Sequence, residues 1–92
     1  MRFSWDEAKS QANQRKHGVS FELATAAFND PNRIEIYDDR HEEDRWILIA
    51  AVEPTVLVIV YTLREDNGEV VRLISARRAN AKERRAYRAT DS

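Results

Sequence analysis

The chain keeps two hydrophobic rhythms. As far as Phe28 the apolar positions are sparse and spaced for helices. From Ile34 to Ala76 they alternate or run together, as strands do. Arg2–Trp5 reads as a short strand. Asp6 is placed as the N-cap of a helix from Glu7 to about His17, with Ser4 and Glu7 as a competing capping box. Ala8 and Ala12 give that helix a thin apolar stripe. Gly18 ends it as a C′ residue, after Lys16 and His17 in the last turn, where the helix dipole favours cations. Ser20 caps a second helix, Phe21–Phe28, with Phe21, Ala24, Ala27 and Phe28 on one face. Pro31 stops it by disfavouring a helical Asp30.

The strands follow. Arg33–Tyr37 alternates, with Ile34 and Ile36 on one side. Asp38–Asp44 is a charged loop. Trp46–Val52 is apolar until Glu53–Pro54 breaks it. Thr55–Leu63 is the most apolar and β-branched stretch, which predicts the central strand. Asn67–Gly68 signals a two-residue hairpin turn, and Glu69–Ala76 returns from it. Asn80 then caps a last helix, with Glu83 closing a capping-box pair. The predicted order is β-α-α-β-β-β-β-α. It is an α+β fold: an antiparallel sheet of about four to five strands, two N-terminal helices on one face and a C-terminal helix.

The hairpin fixes a register. If Asp66 pairs with Glu69, Arg64 faces Val71, Thr62 faces Leu73 and Val60 faces Ser75. Thr62, Arg64, Ser75 and Arg77 then share one face of the sheet, while Ile59, Tyr61, Leu63, Val70, Ile74 and Ala76 make the core face. Arg72 is the exception, a cation on the apolar side opposite Leu63, which must snorkel or find an acid. The polar face could hold a phosphate. It equally fits a solvated surface whose arginines pair with Glu35 or Glu53.

Ninety-two residues predict one small domain, spanning 1–92. There is no cysteine, hence no disulfide framework and no thiolate site. The N-terminus has no apolar signal-peptide core, and Val56–Tyr61 is far short of the roughly 18 residues a membrane span needs. A cytoplasmic protein that does not engage a membrane is expected. The net charge of −1 hides an asymmetry. Residues 1–29 carry +1, residues 30–71 carry −7 and residues 72–92 carry +5. Twelve of the fifteen cations are arginine, whose planar fork suits phosphate and carboxylate. An acidic middle with a basic end implies oriented contacts with an anion: RNA, DNA or an acidic protein. Two histidines, His17 and His41, stand in no metal-binding spacing, so no metal and no cofactor is expected. With only Gly18 and Gly68 there is no phosphate-cradling glycine loop.

Five stretches together carry a resemblance. They are F-x-W-D-x-x-K at Phe3–Lys9, N-x-x-K-H-G-V-S-F-E at Asn13–Glu22, F-x-D-P at Phe28–Pro31, R-L-I-S-A-R-R-A at Arg72–Ala79 and E-R-R-x-Y at Glu83–Tyr87. The chain resembles the BrnT family of bacterial toxins over nearly its whole length. Glu7 departs from the family, in which many members place Pro at that position. The resemblance implies a RelE-like ribonuclease fold. It also implies a type II toxin that cleaves RNA without a metal, blocks translation and growth, and is neutralised by a BrnA-like ribbon-helix-helix antitoxin. The complex would be a heterotetramer that meets operator DNA through the antitoxin.

Cleavage through the ribose 2′-OH needs a base, an acid and cations for the developing charge. Arg64 and Arg77 are the expected phosphate clamp, and Lys16 or His17 the proton-transfer group, with Tyr61 and Tyr87 in reserve. Arg72, Ser75, Arg78, Arg84, Arg85 and Tyr87 are expected RNA contacts, the last helix serving RNA or the antitoxin. The alternative is a module that binds nucleic acid or a regulatory protein without catalysis.

Overall fold

The computed structural model describes residues 1–65 and 68–89. Its strands are β1 (Arg2–Ser4), β2 (Ile34–Asp38), β3 (Arg45–Val52), β4 (Thr55–Arg64) and β5 (Val70–Arg78). Its helices are α1 (Glu7–His17), α2 (Phe21–Thr25) and α3 (Ala81–Ala89), with a short 3-10 turn at Ala26–Asn29. All five strands form one sheet in the order β1-β5-β4-β3-β2. β4 is its centre, as its apolar run predicts. The sheet is mixed rather than antiparallel, because β1 runs parallel to β5. Chain adjacency reveals hairpin partners but not a strand that pairs with one 68 residues later, as Arg2 does with Val70. The predicted helix Phe21–Phe28 is split, since the backbone tightens into a 3-10 turn at Ala26 before Pro31.

Caps hold the helices as the sequence predicts. The Asp6 carboxylate accepts the Lys9 N–H and the Ser20 hydroxyl accepts the Leu23 N–H. Asn80 and Glu83 cap each other reciprocally, 2.8 Å in both directions. The Ser4–Glu7 box does not form. Glu7 instead accepts the Trp5 indole N–H. Gly18, at φ +74°, ends α1 in the left-handed conformation that favours glycine.

α1 corrects a sequence expectation. Ala8 and Ala12 face solvent, and the buried positions are Ser10 and Asn13. The Asn13 amide donates to the Val19 and Ala76 carbonyls, 2.7 Å each, and its oxygen accepts the Ala76 N–H. The Ser10 hydroxyl accepts the Phe21 N–H. Asn13 thus continues the edge of β5 beyond the point where β1 stops, and pairs both main-chain groups of Ala76 there. This helix docks through hydrogen bonds, so an apolar stripe could not reveal its inner face.

The sheet is covered on one face and partly covered on the other. On the first, Phe21, Ala24, Ala27 and Phe28 pack on Leu48, Leu57, Ile59, Tyr61, Val71 and Leu73. Phe21 is fully buried, and truncating such a side chain costs about 3–5 kcal/mol. On the second face, α3 seats Tyr87 and Ala79 against Ile49, Val56 and Val58. The three helices are therefore divided between opposite faces.

A β-bulge changes the hairpin register. From Leu57↔Arg78 to Val60↔Ser75 the opposed numbers sum to 135, as predicted. Beyond a shift between Val60 and Tyr61 they sum to 134: Tyr61↔Leu73, Thr62↔Arg72 and Arg64↔Val70. Ile74 is the extra residue. The slip puts Val71 and Leu73 in the core instead of Val70 and Ile74. It also turns Arg72 from the apolar face onto the polar one, beside Thr62. The Asn67 half of the predicted turn lies outside the described residues.

Candidate nucleic-acid interface

The Glu53–Pro54 turn places Val52 opposite Thr55, and the register carries this on to Trp46↔Tyr61. Arg45 and Thr62 therefore sit side by side, one position further on. With Thr62↔Arg72 across the next pair, Arg45, Thr62 and Arg72 form one row over three strands. Neighbouring strands lie about 4.8 Å apart, so the outer two backbones of this row are about 10 Å apart. Arg64, two residues beyond Thr62, projects from the same face and donates its Nε–H to the Thr62 hydroxyl at 3.2 Å.

A pocket of about 210 Å³ opens here, lined by Lys9, Arg45, Arg64, Arg72, Asp6 and Glu43 together with Leu73 and Ile74 of the bulge. Four cations converge on it. Arg72 donates a long, 3.5 Å hydrogen bond to Ser4 Oγ. Arg45 has an Nε that is buried and finds no hydrogen-bond partner among the described residues. The Glu43 carboxylate reaches Arg64 at 3.6 Å and Arg45 at 3.7 Å, one anion held loosely between two forks. Thr62 is buried beside the pocket, and its hydroxyl holds the Arg64 fork from behind.

Chemically this is an anion cradle. Three guanidiniums and an ammonium can surround a phosphate, and Glu43 is a carboxylate within the same space. The second carboxylate, Asp6, is committed to capping α1.

The expected site residues distribute differently. Arg64, Arg72 and Ser75 share the polar face, Ser75 one row from the cradle opposite Val60. Arg77 shares that face but does not join Arg64. The strand between Val58, which faces Arg77, and Arg64 spans roughly 20 Å. The Arg77 guanidinium binds Glu83 in both prongs, at 2.7 and 2.8 Å. The single-phosphate clamp of Arg64 and Arg77 is thus corrected: Arg77 fastens α3 to the sheet. Its bonds hold the Glu83 carboxyl down at about 2.

Lys16 and His17 lie at the far end of α1. That is about 10 Å of helix rise beyond Lys9, so they do not meet Arg64. Arg78 is on the other face, opposite Leu57, where with Gly18, Val19, Leu23 and Glu53 it borders a separate pocket of about 200 Å³. Tyr61 is buried against Phe28, and burial pushes its hydroxyl up to about 12. Tyr87 is buried as well, its hydroxyl donating to the Asp30 carboxylate at 2.5 Å, well away from the cradle. Arg84 and Arg85 are exposed on α3, with Arg84 also donating to the Ala79 carbonyl. Among the described residues no group of three or more His, Asp or Glu stands where it could hold a metal ion.

Lys9, Arg45 and Glu43 are the residues that sequence reasoning missed. Lys9 closes the F-x-W-D-x-x-K stretch. Arg45 could have been found by extending the Glu53–Pro54 hairpin register seven pairs to Thr62.

Residues 5–83 match the family model described as "Ribonuclease toxin, BrnT, of type II toxin-antitoxin system". Curated protein sequences give no match. Among solved structures, the crystal structure of the Brucella abortus ribonuclease toxin BrnT superposes with a TM-score of 0.67 at 23% identity. The alignment covers 87% of this chain and 97% of that one, a likeness of fold. Among the described residues no helix is long and apolar enough to cross a membrane.

Proposed function

Because this chain belongs to the BrnT family of ribonuclease toxins of type II toxin–antitoxin systems, we propose that Lys9, Arg45, Arg64 and Arg72 bind the RNA phosphate at which it cuts. The observation that carries this is their convergence, with Glu43, on one pocket. Arginine forks aimed at a phosphate stabilise the charge that develops when a fifth oxygen bonds to phosphorus.

The chemistry needs no metal in this reading. Glu43 takes the proton from the ribose 2′-OH, and the 2′-oxygen attacks phosphorus. The bond to the 5′-oxygen breaks, and that oxygen receives a proton from Lys9. An ammonium can release a proton where a guanidinium cannot. The products are a 2′,3′-cyclic phosphate and a 5′-hydroxyl, and only RNA supplies the attacking group. The unit is RelE-like, acts in the cytoplasm by blocking translation, and is neutralised by a BrnA-like ribbon-helix-helix antitoxin. In the heterotetramer the antitoxin carries the contact with operator DNA.

The test is incubation of the purified protein with RNA in EDTA, followed by end analysis. Cyclic phosphate ends are expected, and they should vanish in Arg64→Ala. Cleavage that stops in EDTA would refute the metal-free step. Uncut RNA with folded protein would leave a binding module without catalysis.

A further inference from the structure

Half of the second sheet face is covered and half is open. α3 crosses it from β5, where Glu83 meets Arg77, to the start of β2. There Tyr87 meets the Asp30 carboxylate that also accepts the Ala51 N–H. Beneath α3 lie Ile49, Val56 and Val58. The next row along the strands is Ile36–Ile47–Val60–Ser75. No described helix covers it. Ile36 is 43% exposed, and Ile47 and Val60 are only half-buried. The row after that is Asp38–Arg45–Thr62–Arg72, with Arg64 beyond it; the Asp38 carboxylate is already held by Arg40 in two bonds, which leaves the arginines as its open charges.

Successive rows on one face are about 7 Å apart, and a helix is about 10 Å across. The open strip is therefore wide enough for one more helix beside α3, at the usual spacing of about 8–10 Å. Such a helix would rest its underside on Ile36, Ile47 and Val60 and carry one flank over Arg45, Arg64 and Arg72. On its other flank stands α3, whose Lys82, Arg84, Arg85 and Arg88 are exposed. The strip is a largely aliphatic floor bordered on one side by Arg45, Arg64 and Arg72.

We propose that this strip receives an amphipathic helix of the antitoxin, apolar beneath and acidic along the flank that meets the cradle. The floor's chemistry favours protein over nucleobase. Bases are held on aromatic rings or guanidinium planes, whereas this floor is Ile and Val, the side chains that α3 itself covers next door. The nearby rings, Tyr37 and Trp46, belong to the opposite face and pack on each other at 5.2 Å. A helix seated here lays carboxylates where RNA would lay phosphate, so neutralisation is direct occupation of the cradle. This rests on the ribonuclease reading for its consequence, but not for the docking itself.

The test uses the whole chain and the antitoxin encoded with it. Ile36→Lys places a cation at an exposed position outside the cradle. It is expected to weaken antitoxin binding, measured by calorimetry, at least about tenfold while RNA cleavage is unchanged. Ile36→Thr, which keeps strand propensity, serves if the lysine variant fails to fold. Antitoxin affinity unaltered in the folded variant would overturn the proposal. A fall in RNA binding with antitoxin affinity intact would assign the strip to RNA and overturn it too. In a second arm, the antitoxin should displace a labelled RNA whose 2′-hydroxyls are replaced by hydrogen, and simultaneous binding would refute occupation of the cradle. If the wild-type protein cuts no RNA, the ribonuclease reading fails by itself, and the Ile36 affinity comparison still decides the docking site.

Discussion

Arg77 and Glu83 meet where the sheet hands over to the last helix, guanidinium to carboxylate in two bonds of 2.7 and 2.8 Å. Glu83 Oε1 also accepts the Asn80 N–H that opens α3. One carboxylate therefore caps the helix and ties it to β5. Arg77→Ala should cost about 1–3 kcal/mol by urea denaturation, because a partly buried carboxylate loses its charged partner. The folded variant should still cut RNA. Loss of cleavage with stability intact would return Arg77 to the chemistry.

The same pair sets a dependence on pH. Hydrogen bonding from Arg77 lowers the Glu83 carboxyl to about 2 from an ordinary 4.5. For Asp30, burial opposes ionisation, but hydrogen bonds from Tyr87, Ala51 and Asn32 outweigh it, and the carboxyl is also lowered. A carboxyl depressed in the folded state binds protons less readily there than in the unfolded chain. Its contribution is complete above the unfolded value and is lost as pH falls towards the folded one. Urea midpoints should thus drop between about pH 5 and about pH 3, and less steeply in Glu83→Gln. Equal slopes for both proteins would count against this account.

The cradle predicts a contrast among cations. Arg64→Ala and Arg72→Ala should each lower the cleavage rate by about 10²–10³-fold, the usual loss for a donor aimed at transition-state charge. Arg64 is exposed and Arg72, part-buried, makes a long bond to Ser4, so thermal melting should move little. Lys16→Gln and His17→Gln, at the far end of α1, should leave the rate unchanged. A rate that falls only in the latter pair would relocate the site.

Asn13 predicts a large structural effect from a polar residue. Asn13→Ala strips partners from the Val19 carbonyl and from both main-chain groups of Ala76, and should cost about 2–4 kcal/mol. Ala12→Ser, on the exposed side of the same helix, should fall within about 0.5 kcal/mol of wild type. Chemical denaturation of the two variants checks the pair.

The strands, the three main caps and the central place of β4 are legible because alternation and cap chemistry are local. What escaped is non-local. Nothing in Arg2–Ser4 names Val70–Arg72 as its partner, and nothing in Ser10 or Asn13 says that a polar residue faces inward. The polar sheet face could be read from the hairpin, and Arg64 with it. The single added residue at Ile74 could not, yet it carries Arg72 to the cradle. Lys9 arrives from another element altogether, and the Arg77 clamp failed because a capping carboxylate four positions past Ala79 claimed it.

The parallel pairing of β1 with β5 has a consequence for how the protein is made. Arg2–Ser4 finds its strand only when Val70–Arg72 has been made, and Asn13 waits likewise for Ala76. Contacts this far apart in sequence form late. Lys9 and Arg72 come together only after the strands between them have been made. A nascent chain that has not yet reached Arg72 cannot assemble the cradle, whatever part of the sheet it has already formed.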